Sequence, residues 1–326
     1  MGRKNIVFND FISQNERFAD FFNGIVFKGK KVVYPEALTP LDTKAWRRIG
    51  EKNSYHEYVR DHLKRWDYRG RQLVLGVEPE ETVHFALPVK YMNYESIQYD
   101  NNYKLVMKEH RQRKDLDRDE YVSGFSVSDQ LIPVISIGIY LGKKKWSAPV
   151  TLHQMIGIEE FPEEVKNAMM SYCNDFRSNL FDINSMKTSD VFETDLREVF
   201  GFLMRQNDKA ALIKFVDGNT RFRYLREDAF DVIQAYSGSL ELEVRKEEYR
   251  AEEGFDMCLA IRELIEDGKA EGKAEGKAEG KAEAFEVMNE LIRQLIEDGR
   301  TEDLLRSSRD IALQKRLIEE YGISNA

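Results

Sequence analysis

Residues 56–80 read HEYVRDHLKRWDYRGRQLVLGVEPE. Residues 56–65 (HEYVRDHLKR) and 71–78 (RQLVLGVE) flank WDYRG, whose Asp67 and Gly70 are turn formers, and this pattern predicts a β-hairpin. The second arm is apolar on both faces, which marks a strand at the centre of its sheet. Alternation over 57–64 sets Val59, Asp61 and Leu63 on one face and Tyr58, Arg60, His62 and Lys64 on the other. Asp61 therefore stands in an apolar row. With the turn centred between Arg69 and Gly70, Asp61 lies directly across from Glu78, and Val74, Gly76, Glu78 and Glu80 share a face. Like charges so placed destabilise a sheet unless something compensates. Two carboxylates on a half-buried face can share a proton, pair with a neighbouring Lys or Arg, or coordinate a hard cation such as Mg²⁺. The plainer alternative pairs Asp61 with Arg60, Lys64 or Arg71 and leaves Glu78 at a strand end in solvent. A shift of register by a single residue would send the two acids to opposite faces.

Working outward toward the N-terminus, Phe11, Ile12, Phe18, Phe21, Phe22 and Ile25 recur at helical spacing, so one amphipathic helix is expected over 9–27. The basic patch Lys28, Lys30 and Lys31 and the turn-rich stretch holding Pro35, Glu36, Pro40 and Asp42 read as loop. Toward the C-terminus a long helix is expected over 84–114, with Pro88 in its first turn. A polar loop with Gly124, Ser126 and Ser128 then leads to a buried strand over 131–141. The order helix, loop, hairpin, helix, strand predicts an α/β fold over 1–150, a small mixed sheet flanked by helices. Past the cluster Lys143, Lys144 and Lys145, segments 162–173, 193–206, 208–216 and 223–236 all allow helix, which predicts a helical subdomain over 151–257.

Residues 258–326 read as a charged helical tail built around four copies of GKAE over 268–283. In a helix, period four puts Lys269 beside Lys273 and Glu271 beside Glu275, like-charge pairs that oppose helix by a few tenths of a kcal/mol each. Each glycine adds about 0.8 to 1 kcal/mol relative to Ala. The repeat therefore predicts a frayed helix or a flexible spacer. Beyond it Phe285, Met288, Leu291, Ile292 and Leu295, and then 304–321, restore apolar periodicity. Such short helices need a partner surface, either a second copy, giving a homo-oligomer through the tail, or another protein or the body of the chain.

Charged residues at 33% and hydrophobic ones at 42% exclude a largely disordered chain. Cys173 and Cys258 have no metal-binding spacing and require no oxidising compartment, so a cytoplasmic location is expected. No long apolar run follows the basic N-terminus, and LIPVISIGIYL at 131–141 falls short of the ~20 residues that cross a bilayer, so neither a secretion signal nor a membrane span is expected. The net charge of −9 hides an asymmetry, since residues 1–150 carry 25 Lys+Arg against 20 Asp+Glu and the remainder 24 against 38. A polyanion-facing front joined to a solvating or protein-facing rear is one reading; uneven surface charge is the other. No Gly-rich phosphate loop, HExxH, CxxC pair or GxSxG occurs, and His56, His62, His84, His110 and His153 are scattered, so common cofactor folds lack support.

The stretch RDHLKRWDYRGRQLVLGVEPEETVHFALPVKYMNYESIQY (60–99), followed by DQLIPVISIGIYLGKKKWSAPVTLHQMIGI (129–158) and NDFRSNLFDI (174–183), resembles the Rpn family of recombination-promoting nucleases and transposase-related proteins, also called YhgA-like. That family lies within the PD-(D/E)XK nuclease superfamily. The resemblance covers roughly residues 10–260 and rests on the ordered set of segments, and the KAEG-type tail is similar to tails of relatives. It implies a core of helix, three strands, helix and strand, completed by a further short strand before or around Val32 and Val33. It also implies metal-assisted hydrolysis of phosphodiester bonds in double-stranded DNA, in the service of recombination, mobile elements or defence. Asp61 would be the metal-binding aspartate and Glu78 the acidic residue of an E-x-Q or E-x-K element, together holding Mg²⁺ or another divalent cation. Lys90 and Tyr94 match a basic-residue-xxx-Tyr pattern on the second helix and share a face one turn apart.

Glu80 departs from the family pattern. Relatives carry Gln or Lys there, and a glutamate supplies no positive charge. Pro79 removes a ladder donor, so the strand should end or reach an edge at that point. Lys90 is the candidate to compensate; its other reading is an ordinary surface or phosphate-contacting cation. Asp42 or Glu16 could add a further carboxylate. DNA would be gripped through Lys28, Lys30, Lys31, Arg111, Arg113, Lys114, Lys143, Lys144 and Lys145. Besides an active endonuclease, the residues allow a catalytically weakened DNA- or partner-binding regulatory member of the family, and a structural scaffold with an incidental acidic hairpin.

Overall fold

The hairpin forms the middle of a five-stranded sheet in the computed structural model, which describes residues 2–42, 44–49, 54–59 and 61–323. Its strands and those of a separate ribbon are β1 (Leu38–Pro40), β2 (Lys44–Ile49), β3 (Ser54–Val59), β4 (His62–Tyr68), β5 (Arg71–Glu80), β6 (Val134–Tyr140) and β7 (Asn179–Asp182). The sheet runs β1-β4-β5-β6-β7, antiparallel as far as β5 and parallel from β5 to β7, and β2 pairs with β3 alone. β4 and β5 pair from His62 opposite Val77 to Tyr68 opposite Arg71. Arg69 and Gly70 make the turn with φ of 52° and 79°, a left-handed pair whose twist suits a two-residue hairpin. The Gly70 amide donates to Asp67. The turn is thus where alternation puts it, although β4 runs on through Trp66 to Tyr68.

The arm expected over 56–65 is two strands. Pro40 pairs with Lys64 within the five-stranded sheet and Lys44 with Val59 within the separate ribbon; positions 43 and 60, between these ladders, lie outside the described residues. The faces assigned above to Tyr58, Val59 and Arg60, and the pairing of Arg60 with Asp61, lie outside the described side chains.

Helices α1 (Arg3–Ser13) and α2 (Asn15–Ile25) replace the single helix expected over 9–27. Gln14, at φ −68° and ψ 136°, is extended and breaks the axis. Phe8, Phe11, Phe18, Phe21 and Phe22 are buried; Phe200 stacks on Phe8, and Phe181 of β7 and Phe200 both meet Phe21 edge-to-face. Lys64, assigned above to the polar face, is buried beneath these helices. It donates to the Ser13 carbonyl and Asn15 Oδ1 and lies 4.8 Å from the Phe18 ring centre. No strand forms at Val32 and Val33, whose amides both donate to Asn23 Oδ1; the additional short strand is β1, which pairs with the edge of β4.

Helix α3 (Leu87–Arg113) covers the other face, with Pro88 in its first turn, where a missing N–H leaves nothing unpaired. Tyr91 approaches Gly138 of β6 so closely that a Cβ there would lie 2.6 Å from the phenol oxygen. A short helix, α4 (Arg118–Ser123), begins at a capping box on Asp117 in a stretch not expected to be helical. Then come α5 (Leu152–Met155), α6 (Glu163–Tyr172), α7 (Leu196–Arg205), α8 (Lys209–Asp217), α9 (Glu227–Ser237) and α10 (Leu240–Val244), and a minimal ribbon of β8 (Arg250–Ala251) and β9 (Gly254–Phe255). Residues 151–257 thus supply the expected helices and also an unanticipated strand, β7, within a compact unit spanning Met1–Cys258.

A second unit spans Leu259–Ala326. Helix α11 (Met257–Glu297) runs unbroken through all four GKAE copies, where sequence favours a frayed helix or spacer. Ala, Lys and Glu are strong helix formers, and strongly helical stretches on either side let the segment propagate without bearing the cost of nucleation. Helices α12 (Thr301–Ser307) and α13 (Ile311–Glu320) follow. Leu291, Leu295 and Leu317 form a core ringed by Met288, Leu304, Leu313, Ile318, Tyr321 and Ile323. These amphipathic faces therefore cover one another. No helix among the described residues is long and apolar enough to cross a membrane.

Candidate active site

The paired acids stand where β3 gives way to β4. The ladder ends at His62 opposite Val77, and one further step sets Asp61 opposite Glu78. The Asp61 amide donates to Glu78 Oε2 at 3.4 Å across a sequence separation of 17. On the other side of β5, Glu78 is level with Gly138 and Glu80 with Tyr140. Because Gly138 meets Tyr91, both glutamates belong to the face that α3 covers. Glu78 is only 1% exposed. Lys90, in the first turns of α3, donates to Glu80 Oε1 at 2.6 Å, and its Nζ lies 5.9 Å from the centre of the Tyr94 ring. Of these acids, Glu80 is thus compensated by a lysine from the next element.

Pro79 fits without breaking the strand. The Val74 amide and the Glu80 carbonyl bond toward β6, so the intervening odd positions direct their backbone groups toward β4. Pro79 is the odd position just past Val77, where the β4 ladder has ended. Its missing donor removes nothing from the β6 ladder, and a local edge is the outcome.

The remaining candidates separate by position. Continuing the β1–β4 register brings Asp42 opposite His62, beside Asp61, and Asp42 lines a groove of about 310 Å³ with Leu63, Arg65 and Val74. Glu16 is on α2, across the sheet, and does not join the acids. Lys143, Lys144 and Lys145 follow the end of β6 that is level with Glu80. Lys28, Lys30 and Lys31 lie toward the opposite end, since the Phe27 ring meets Trp66 edge-on and Trp66 pairs with Leu73. Arg111, Arg113 and Lys114 end α3, about 32 to 36 Å along its axis from Lys90 at 1.5 Å per residue.

Several polar groups that are buried or half-buried carry no signal in the sequence. His62 Nε2 donates to Asn9 Oδ1 at 2.8 Å, and burial, followed by the nearby Lys64 ammonium, pushes its pKa down to about 4. Burial likewise lowers Lys64 to about 8. Arg17, 1% exposed, is gripped by Asp195 and Asp228 from distant parts of the chain. No local pattern marks any of these partners.

Among the described residues no group of three or more His, Cys, Asp or Glu side chains is disposed to hold a metal ion. Asp61 and Glu78 offer two hard oxygen donors. That number suits Mg²⁺, which takes one or two carboxylates and keeps several waters. Glu80, bound by Lys90, stands beside that pair. Compared with models of known families, with curated proteins and with solved structures, the chain matches none.

Proposed function

We propose that the protein is a metal-dependent DNA endonuclease of the PD-(D/E)XK kind, related to the Rpn family. The observation that carries this reading is the register that brings Asp61 beside Glu78, with Lys90 delivered to the same face. The order of helix, β1, hairpin, α3 and β6 supports it. Asp61 and Glu78 would hold Mg²⁺ or another divalent cation, which when bound lowers the pKa of a water and neutralises phosphate charge. Lys90 offsets the charge of Glu80, and the Tyr94 ring flanks the Lys90 ammonium. Lys143, Lys144 and Lys145 are suited to contact phosphates near the acids. Arg111, Arg113 and Lys114 are about as far away as one turn of duplex, ~34 Å, and would meet the same DNA there. Cutting both strands calls for two sites, and Phe285, Ile296, Leu305 and Ile311, exposed on the tail helices, are suited to pairing two copies.

A second reading, a DNA- or partner-binding member with weakened catalysis, is favoured by the burial of Glu78 and the commitment of Lys90 to Glu80. Incubating the folded protein with supercoiled plasmid separates the two. Nicking or linearisation with Mg²⁺ or Mn²⁺, reduced at least about 100-fold in Asp61→Ala and Glu78→Ala, is expected of the nuclease. DNA retention without cleavage in the wild type would reject it, and cutting gained by Glu80→Lys with Lys90→Glu would establish the weakened member.

A further inference from the structure

We propose that a cavity between α2, α7 and the turn Thr220–Tyr224 binds a small zwitterion of the α-amino acid type, its ammonium on Glu198 and its carboxylate on Arg221 and Arg226. The cavity measures about 470 Å³, within the ~300–1,000 Å³ usual for small-molecule sites. Glu198 lines it and is 0% exposed. Its Oε1 accepts from Asn219 Nδ2 at 2.8 Å, whereas its Oε2 has no hydrogen-bond partner among the described residues. A buried carboxylate oxygen without a donor is costly and calls for an occupant that supplies one. Arg221 does not meet that need. Its Nε stays 3.6 Å from Glu198 Oε1, and both of its terminal nitrogens donate to the Glu193 carbonyl.

The wall beside Glu198 is a closed set of ion pairs. Arg17 is held by two bonds to Asp195 and two to Asp228, so these charges are satisfied internally. At the mouth, the Arg226 side chain is 59% exposed; its Nη2 donates to Gln14 and its Nε lies 3.8 Å from Asp228, a carboxylate already bonded twice to Arg17, so N–H groups remain among its five donors. The cavity therefore offers a buried acceptor at its base and cationic donors at its rim. Glu16 also lines the cavity, so an anion alone faces two carboxylates and leaves Glu198 unmet, and a cation alone meets two arginines. A molecule carrying both groups satisfies each end, and Tyr224 provides an aromatic wall for its side chain. This inference is independent of the nuclease reading, because every residue it uses lies away from Asp61 and Glu78.

Calorimetric titration of the full chain with glycine, L-leucine, L-glutamate and L-arginine, each to about 10 mM, tests it. One-to-one binding of at least one of these is expected, weakened about tenfold or more in Glu198→Gln and in Arg226→Ala. Arg226→Ala decides alone if Glu198→Gln does not fold. No binding by the folded wild type, unchanged affinity in either folded variant, or methylammonium or acetate binding as tightly as the zwitterions would overturn the proposal.

Discussion

Glu80 and Lys90 hold their charges in a poorly solvated place, with side chains 9% and 25% exposed. Removing one partner strands the other, so Lys90→Met should destabilise the protein by about 2 to 3 kcal/mol. Glu80→Gln added to it should then cost little more, and a urea double-mutant cycle showing additive losses would refute the coupling. His62 sets a pH dependence of definite sign. Its folded pKa of about 4 lies below the ordinary 6.5, so between these values the unfolded chain binds a proton that the folded chain refuses. The contribution is intact above pH 6.5 and is lost as pH falls toward 4, amounting to about 3 kcal/mol in full. His62→Gln should flatten this arm of the stability profile between pH 4 and 7. An unchanged slope in urea titrations would assign the acid sensitivity to other groups.

At the scale of elements, the approach of α3 to β6 depends on Gly138. A methyl there would lie 2.6 Å from the Tyr91 oxygen and 3.1 Å from Leu180 Cδ1. Gly138→Ala should push α3 outward, cost about 1 to 3 kcal/mol and lower Tm by about 2 to 8 °C. Lys90 precedes Tyr91 and would be displaced with it. The repeat in α11 behaves oppositely, because Gly268, Gly272, Gly276 and Gly280 each have open space where a Cβ would stand. Replacing all four with Ala should add up to about 3 to 4 kcal/mol of helix propensity, read as a stronger helical circular dichroism signal that persists to higher temperature. A weaker signal would mean that these glycines serve a bend. Elements whose signals are local are readable beforehand: the turn at Arg69 and Gly70, the helix opened by Pro88 and the Ile-rich strand β6. The break at Gln14 carries no Pro or Gly to announce it.

Across the whole molecule, the division into Met1–Cys258 and Leu259–Ala326 makes stability a property of each unit. Leu295 is fully buried in the tail core, so Leu295→Ala should cost that unit about 2 to 4 kcal/mol. Hydrogen exchange should then accelerate in α12 and α13 while β4, β5 and β6 keep their protection; equal loss in both would show a single cooperative unit. The pairing of Asp61 with Glu78 was readable because a hairpin obeys a counting rule: once the turn is known, every opposite pair is known. That β7 joins the sheet, that Lys64 is buried, that Lys90 binds Glu80 and that Arg17 meets Asp195 and Asp228 were not, since each partner comes from an element placed by long-range packing. Periodicity and turn chemistry act between near neighbours and are written in the order of residues. Desolvation and charge pairing depend on what the chain brings back from afar, and they take effect only once the sheet and its covering helices have closed together.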